Sequence, residues 1–314
     1  MIEIDADHPI FAREFTIFTG EMSRACALGV DAAFMRRTGL IFYGLSRVGK
    51  TYCIRALKSE LSKFMPRTYV TQIEVVNRER QASNNIMLQL AIEEQCAAFV
   101  KGSVLQRLNA TIEKIELRCK ERNCNHWVLL LDEFQRLRNY DLYQLADILN
   151  VLERRGIKMT VISFAMPEVL RRRDEFRQKD ERQIVSRFMS DLIEFHGCRL
   201  NDLKTILHAY DVTSEYPVSS GVSFTRGLTP LSYLRGFRLE SYCDLFWRVL
   251  NAHSLGAYKN NVPLEHVFIS LNYILRFCAK NDGVEHALTE RQFQDAVKMS
   301  RLKEFTMENG DKIE

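Results

Sequence analysis

The sequence predicts an α/β fold, in which an αβα sandwich on a five-stranded parallel sheet is followed by a smaller helical lid. Two observations predict it. From residue 39 to about 195, apolar segments of strand length alternate with helical segments, and the strands are continuous apolar runs of the kind buried on both faces of a parallel sheet. Beyond residue 200 the periodicity is helical. We therefore expect an N-terminal helical segment at 1–38, a core at 39–199 and a lid at 200–314.

The predicted core elements follow in order along the chain. The first strand covers 40–43 and is followed by a glycine-bounded loop and a helix that carries Ile54 and Leu57 on one face. The remaining predicted core elements are strands at 69–76, 127–131, 158–164 and 190–195, and helices at about 85–100, 140–155 and 168–187. Gly156 is placed to end the helix that begins at 140.

The predicted lid consists of helices at 200–210, 239–253, 263–279 and 289–301. Proline and glycine accumulate between the first two of these helices, at Pro217, Gly221, Gly227, Pro230 and Gly236. We expect a loop-rich insertion there, at about 213–260.

Composition is that of an ordinary globular protein. Of 314 residues, 46% are hydrophobic and 27% are charged, which excludes disorder and low complexity as descriptions of the whole. The net charge of +4 permits contact with nucleic acid without requiring it. No apolar run approaches the roughly 20 residues that span a bilayer, and residues 1–10 lack a secretory signal pattern. We expect a cytoplasmic protein with reduced thiols.

One group of residues resembles a metal site. Cys119, Cys124 and His126 lie close together in sequence, but no second ligand pair occurs at a recognisable spacing. We expect these cysteines to have a structural role.

A complete phosphate-binding motif follows the first strand. Residues 44–51, GLSRVGKT, match G-x-x-x-x-G-K-[ST] between a strand and a helix, where backbone N–H groups and a helix N-terminus can cradle phosphates. Lys50 is placed to neutralise β- and γ-phosphate oxygens, and the Thr51 hydroxyl to bind Mg²⁺. The predicted nucleotide-binding residues of this loop are Gly44, Leu45, Ser46, Arg47, Val48, Gly49, Lys50 and Thr51.

Two adjacent carboxylates end the third strand. Asp132 is placed to hold Mg²⁺, together with Thr51, and Glu133 to polarise the attacking water. The sequence lacks the Asn-Lys-x-Asp motif with which GTPases read their base. ATP is therefore the predicted nucleotide.

Further residues are candidates for completing the site. Ser163 on the fourth strand is a candidate for sensing the γ-phosphate, although its position is early for that role. Arg187 is the first candidate, and Arg182 the second, for an arginine presented to the nucleotide of a neighbouring subunit. Asn77, after the second strand, could hold Glu133 inactive until a partner binds.

These motifs resemble those of AAA+ ATPases, and more closely those of the TnsC and TniB transposition regulators. The similarity lies in GLSRVGKT at 44–51, LLLDEFQRL at 129–137, VISFAMPEVLRRR at 161–173 and SRF at 186–188, and it covers about residues 15–210. Where that family usually has a threonine that senses γ-phosphate, this chain has Met166. Arg238 and Arg276 are the candidates for the arginine that the lid of such proteins usually contributes.

The resemblance implies an ATP- and Mg²⁺-dependent regulator that assembles as a ring or filament on duplex DNA and links a target-selection protein to a DDE transposase. It places DNA-backbone contacts at Arg78, Arg80, Lys101 and Ser103. Two alternatives stay open at this point. One is a nucleotide-gated signalling or defence switch, AAA+ or STAND-like, without DNA contact; the other is a relative of origin-recognition proteins or helicase loaders.

Overall fold

The computed structural model describes residues 7–12, 15–76, 85–96, 103–284 and 288–310. Five strands are present in these ranges: β1 (Gly39–Tyr43), β2 (Tyr69–Glu74), β3 (His126–Asp132), β4 (Lys158–Ala165) and β5 (Leu192–Glu194). The α-helices are α1 (Pro9–Ala12), α2 (Gly20–Phe34), α3 (Lys50–Phe64), α4 (Asn85–Glu93), α5 (Val104–Glu121), α6 (Asn139–Arg154), α7 (Val169–Gln178), α8 (Arg182–Phe188), α9 (Leu200–His208), α10 (Phe224–Leu228), α11 (Pro230–Leu234), α12 (Cys243–His253), α13 (Leu264–Lys280), α14 (Glu290–Met299) and α15 (Leu302–Gly310).

The five strands form one parallel sheet in the order β2-β3-β4-β1-β5, which confirms the predicted fold class. In register, Leu131 of β3 pairs with Ser163 of β4, and Ser163 pairs in turn with Ile41 of β1. Every residue of β3 is buried, as expected of a parallel strand covered on both faces. The carboxyl ends of β1, β3 and β4 therefore lie at one edge of the sheet, where open α/β sheets bind their ligands.

By compactness, the chain divides into two units. The sheet unit comprises residues 24–44 and 50–195, and the helical unit comprises 1–23, 45–49 and 196–314. The domain boundaries that the sequence suggests, at 38 and 199, stay a prediction.

The sheet unit has an apolar core on the face of the sheet that alternate residues of β3 share. Trp127, Leu129 and Leu131 of β3 are fully buried in this core, beside Leu145 and Ile148 of α6. The buried apolar residues of α6 recur at helical spacing. This is the pattern from which the sequence predicts the helix. Burial of these aliphatic side chains stabilises the unit by about 1.5–3 kcal/mol each.

The structure corrects one predicted helix. The sequence pattern suggests a continuous helix over 168–187, whereas the chain forms α7 and α8, separated around Asp180, whose φ is 58°. Aspartate adopts this left-handed conformation more readily than most residues, and a left-handed residue ends an α-helix. The expected helix at 85–100 likewise ends early, at Glu93, and residues 97–100 lie outside the described ranges.

The helical unit has its own core, which confirms a helical C-terminal region. Large side chains from α9, α12, α13 and α14 meet there, among them Leu203, Phe246, Leu271 and Phe293. The expected insertion contains two short helices, α10 and α11, and Phe224 of α10 is buried in the same core. Among the described helices, none combines the length and apolar character that crossing a membrane requires.

Cys119 and Cys124 lie in the sheet unit near the start of β3. Their sulfurs lie 3.8 and 3.6 Å from the carbonyl oxygen of His126, toward which the thiols donate. The His126 ring bonds Thr160 Oγ1 at 2.9 Å. Burial, and to a lesser extent Cys124 beside it, raise the pKa of the Cys119 thiol to about 12. Nowhere in the described ranges do three metal-binding side chains converge.

Candidate active site

The motif at 44–51 forms a turn between β1 and α3. Gly44 closes onto the sheet, donating its N–H to Ala165 O at 3.1 Å, and a Cβ there would lie 2.1 Å from Phe195 O. Gly49 has a φ of +105°, a conformation that side chains rarely adopt. Both glycines of the motif are therefore required by the backbone path.

The five residues 45–49 pack within the helical unit. Arg47 forms an ion pair with Glu265 of α13 at 3.3 Å and lies over the ring of Phe305, 4.7 Å from its centroid. Within the described chain, the backbone N–H groups of Ser46, Val48 and Gly49 donate to no acceptor. Neighbouring backbone N–H groups of a turn that have no acceptor are suited to binding an anion.

Lys50 begins α3 and is only 7% exposed. Its ammonium group donates to Gly44 O at 2.7 Å and lies 3.4 Å from Met166 Sδ. Burial lowers the pKa of Lys50 to about 8, against the opposing effect of the nearby carboxylates, of which Glu133 and Asp132 are the strongest. A buried ammonium group of this kind is suited to neutralising the charge of a phosphate.

Thr51 and Asp132 come together as the sequence predicts. Thr51 Oγ1 donates to Asp132 Oδ2 at 2.9 Å, and Asp132 Oδ1 accepts from the N–H of Glu133 at 3.0 Å. A threonine hydroxyl and an aspartate carboxylate are hard oxygen ligands of the kind that Mg²⁺ prefers, so the chemistry of this pair fits Mg²⁺.

Glu133 follows β3 in a strained conformation. Its φ and ψ of 60° and 41° lie in the left-handed region, which is unfavourable for a residue with a side chain. Its carboxylate accepts from Gln135 Nε2 at 2.8 Å and pairs with Arg136 at 3.1 Å. The guanidinium of Arg136 also donates to Val75 O at 3.2 Å. The backbone turn therefore places the Glu133 carboxylate against the side chains of Gln135 and Arg136, next to Asp132.

The carboxyl end of β4 carries a methionine instead of a polar side chain. Ser163 is buried inside the strand, and its hydroxyl has no hydrogen-bond partner in the described residues. It pairs in register with Leu131, whereas Met166 lies beyond the strand end and against Lys50. Of these two, Met166 thus occupies the position next to the phosphate-binding lysine.

The two candidate arginines belong to α8, in the sheet unit. The Arg187 side chain makes no hydrogen bond or ion pair to the described residues and is half-buried. The hydrogen bond from Lys158 lowers the pKa of Glu153, and the charge of Arg187 lowers it further. Arg182 pairs with Asp180 at 2.7 Å, and both side chains are mostly exposed.

Other predicted residues have varied surroundings. Ser103 caps α5, where its hydroxyl accepts from the N–H of Gln106. Arg238 stacks on Tyr233 and donates to Tyr233 O and Phe237 O, while Arg276 is exposed on α13. The candidates Asn77, Arg78, Arg80 and Lys101 lie outside the described residues.

Sequence reasoning overlooks Gln135 and Arg136, the two donors to Glu133. Both belong to the DEFQRL segment, so their proximity in sequence was visible. Their contact with Glu133 depends on its left-handed turn and on the short 3-10 helix Phe134–Arg136 that follows it. The left-handed turn and the 3-10 helix contain no glycine or proline, so the sequence does not indicate either of them.

Comparisons with known proteins agree with this geometry. Residues 35–173 match the sequence family described as an AAA domain. No curated protein matches the chain in sequence.

Solved structures share its fold. The Aeropyrum pernix ORC2 protein in its ADPNP-ADP complexes has a TM-score of 0.56 at 14% identity, over 90% of this chain and 68% of that one. Drosophila ORC bound to DNA has a TM-score of 0.52 at 15% identity, over 88% of this chain and 64% of that one. Hsp104 with ATPγS and casein has a TM-score of 0.51 at 17% identity, over 97% of this chain and 46% of that one. At these identities the likeness shows the fold alone. Residues 35–173 of this chain therefore resemble an AAA domain in both sequence and fold.

Proposed function

We propose that the chain binds ATP and Mg²⁺ at the carboxyl edge of its sheet, hydrolyses ATP, and thereby regulates DNA transposition as an oligomer on duplex DNA. The observation that carries the ATPase proposal is the 2.9 Å contact between Thr51 and Asp132, beside the buried ammonium group of Lys50. Hard oxygen ligands and a buried cation are the two groups that a Mg²⁺-nucleotide requires.

Each residue of the proposed site has a chemical role. Lys50 and backbone N–H groups of the motif at 44–51 bind the phosphate oxygens, and Thr51 and Asp132 hold the metal. Mg²⁺, when bound, neutralises the charge of the phosphates. Glu133 accepts a proton from the attacking water or orients it. Arg187, from a neighbouring copy of the chain, stabilises charge on the transferred phosphoryl group.

The proposed link to DNA transposition rests on the resemblance to TnsC and TniB proteins. DNA is also bound in one of the structures that share this fold, Drosophila ORC. We propose that duplex DNA is contacted through its backbone by several subunits, with Arg78, Arg80, Lys101 and Ser103 as candidates. The other proposed partners are a target-selection protein and a DDE transposase, with assembly as a ring or filament.

The ATPase proposal is tested with two variants. Lys50→Ala removes the buried cation, and we expect nucleotide binding to weaken by about tenfold or more, since a charged hydrogen bond is lost. Glu133→Gln keeps the size and polarity of the side chain but not its basicity. We expect it to bind ATP normally and to hydrolyse it at least about 100-fold more slowly.

Fluorescent-nucleotide titration and phosphate release measure the two effects. Equal ATP affinity in wild type and Lys50→Ala would overturn the assignment of the phosphate site. The exposed Lys179→Ala serves as the control for loss of a positive charge.

The assembly proposal is tested by filter binding and negative-stain microscopy with duplex DNA and a non-hydrolysable ATP analogue. We expect ATP-dependent retention that weakens steeply with salt, and rings or filaments on the DNA. Monomers alone would contradict assembly. A signalling switch without DNA contact predicts no retention at all.

The shared ORC fold favours an initiator-type DNA-binding ATPase as the second candidate function. Competition with unrelated duplexes separates the two DNA-binding proposals. Sequence-independent backbone contact, as expected of the transposition regulator, predicts equal competition by all duplexes of one length. A strong preference for one sequence favours the initiator-type function.

A further inference from the structure

We propose that Gln135 is a positioning residue for hydrolysis, which fixes the carboxylate of Glu133 relative to the carboxyl end of β4. The inference rests on the proposed ATPase function and assigns a role to a residue that sequence motifs leave without one. It follows from the contacts of one amide group at the end of the sheet.

Both ends of the Gln135 amide are engaged. Its Oε1 accepts from the backbone N–H of Met166 at 3.0 Å, and its Nε2 donates to Glu133 Oε2 at 2.8 Å. The orientation of the amide is determined by its partners, because a backbone N–H can only donate and a carboxylate only accept. Gln135 therefore connects the general base to the backbone that follows β4.

The β4 end in turn touches the phosphate-binding lysine. Met166 Sδ lies 3.4 Å from Lys50 Nζ, which also bonds Gly44 O, and Gly44 N–H bonds Ala165 O. A thioether is a weak acceptor and offers no donor to a phosphate or to water. The polar group at this end of β4 is thus supplied by Gln135, from the segment after the neighbouring strand.

The backbone holds Gln135 rigidly in this place. It lies in the 3-10 helix Phe134–Arg136, directly after the left-handed Glu133, and Phe134 is buried in the core of the sheet unit. Arg136 binds the same carboxylate oxygen but is anchored to Val75 O, at the end of β2. The two donors therefore connect Glu133 to different strands. Arg136 connects it to the end of β2, and Gln135 connects it to the end of β4, where Met166 contacts Lys50.

Two substitutions separate the effect of the amide hydrogen bonds from the effect of side-chain volume. Gln135→Met keeps the length of the side chain and removes both hydrogen bonds. Gln135→Glu keeps the acceptor for Met166 N–H but places a carboxylate against Glu133. We expect kcat to fall about tenfold in the first and by more in the second, with KM for ATP and the affinity for a fluorescent ATP analogue within about twofold of wild type.

The matched control is Gln178→Glu, the same charge change at an exposed position of α7. The measurements are steady-state phosphate release with and without duplex DNA, nucleotide titration and thermal unfolding. A fall in kcat at unchanged KM, with unfolding temperature within a few degrees, supports positioning. A structural role would instead move KM, affinity and unfolding temperature together.

Unchanged kcat in both Gln135 variants, while Lys50→Ala and Glu133→Gln are inactive, overturns the role of Gln135 and leaves the ATPase proposal intact. Absence of hydrolysis by the wild type above the Lys50→Ala background overturns the ATPase proposal, and the Gln135 role with it. The two failures are thus distinguished by the wild-type rate.

Discussion

At the scale of single residues, the unusual group of the site is the buried ammonium of Lys50. Burial stabilises its neutral form, and the carboxylates around it oppose that effect only in part, so that its pKa falls from 10.5 to about 8. A phosphate bound against Nζ adds negative charge and favours the protonated form. Nucleotide binding and protonation of Lys50 are therefore coupled.

This coupling predicts a pH dependence for ATP binding in EDTA, where no metal contributes. The free protein loses the Lys50 proton as pH rises through about 8, whereas the complex retains it. We expect about half a proton to be taken up per ATP bound near pH 8, and affinity to fall above that pH by at most about tenfold per unit. Calorimetry in buffers of different ionisation enthalpy measures the uptake.

Lys50→Arg is the control for this experiment, since an arginine remains charged throughout the range. The same proton uptake in Lys50→Arg, or none in the wild type at pH 8.5, would contradict the coupling.

At the scale of elements, the position of α8 depends on its close approach to the first residue of β1. A Cβ at Gly39 would lie 2.3 Å from Arg187 O and 2.7 Å from Phe188 Cα. Only a residue without a side chain allows the helix to cross the strand at this distance. Gly39 therefore determines where the backbone of Arg187 lies.

Gly39→Ala is expected to destabilise the protein by about 1–3 kcal/mol or more, because backbone atoms must move to admit the methyl group. Chemical denaturation monitored by circular dichroism measures the loss. Gly227→Ala is the matched control: a Cβ there meets only Val222 Cγ1, at 3.5 Å, and alanine favours the helix it would occupy. Equal stability of Gly39→Ala and wild type would show that α8 can shift without cost.

The elements that were predictable are those with strong local signals. The run Trp127–Leu131 and the motif at 44–51 locate β3, β1 and the turn to α3, and thereby bring Thr51 to Asp132. The break between α7 and α8 was missed, since its left-handed residue is Asp180 and not a glycine. Gln135 was missed because its contacts join segments that meet only in the folded sheet.

At the scale of the whole molecule, we propose that the active site includes Arg187 of a second copy of the chain. The Arg187 side chain forms no ion pair with the described residues, which is consistent with a role on a neighbouring nucleotide. The net charge of +4 fits the same arrangement, because a subunit that contacts DNA as one of many needs only a few basic side chains.

For Arg187→Ala we expect ATP binding by the isolated chain within about twofold of wild type, and a loss of hydrolysis of about 1000-fold. Arg182→Ala, which removes an exposed ion pair with Asp180, should retain its activity. If Arg187 acts on the neighbouring subunit, mixing inactive Arg187→Ala with inactive Lys50→Ala restores part of the activity. No restoration in the mixture, or inactivity of Arg182→Ala alone, would reassign the arginine.

The order of strands has a consequence for synthesis of the chain. β1 leads into the phosphate-binding turn, yet its partners in the sheet are β4 and β5, with Gly39 paired to Val161 and Ile41 to Leu192. Both flanks of β1 therefore stay unpaired until these distant segments have left the ribosome. We therefore expect β1 to join the sheet late in folding, and the apolar stretch at 40–42 to be exposed to aggregation until then.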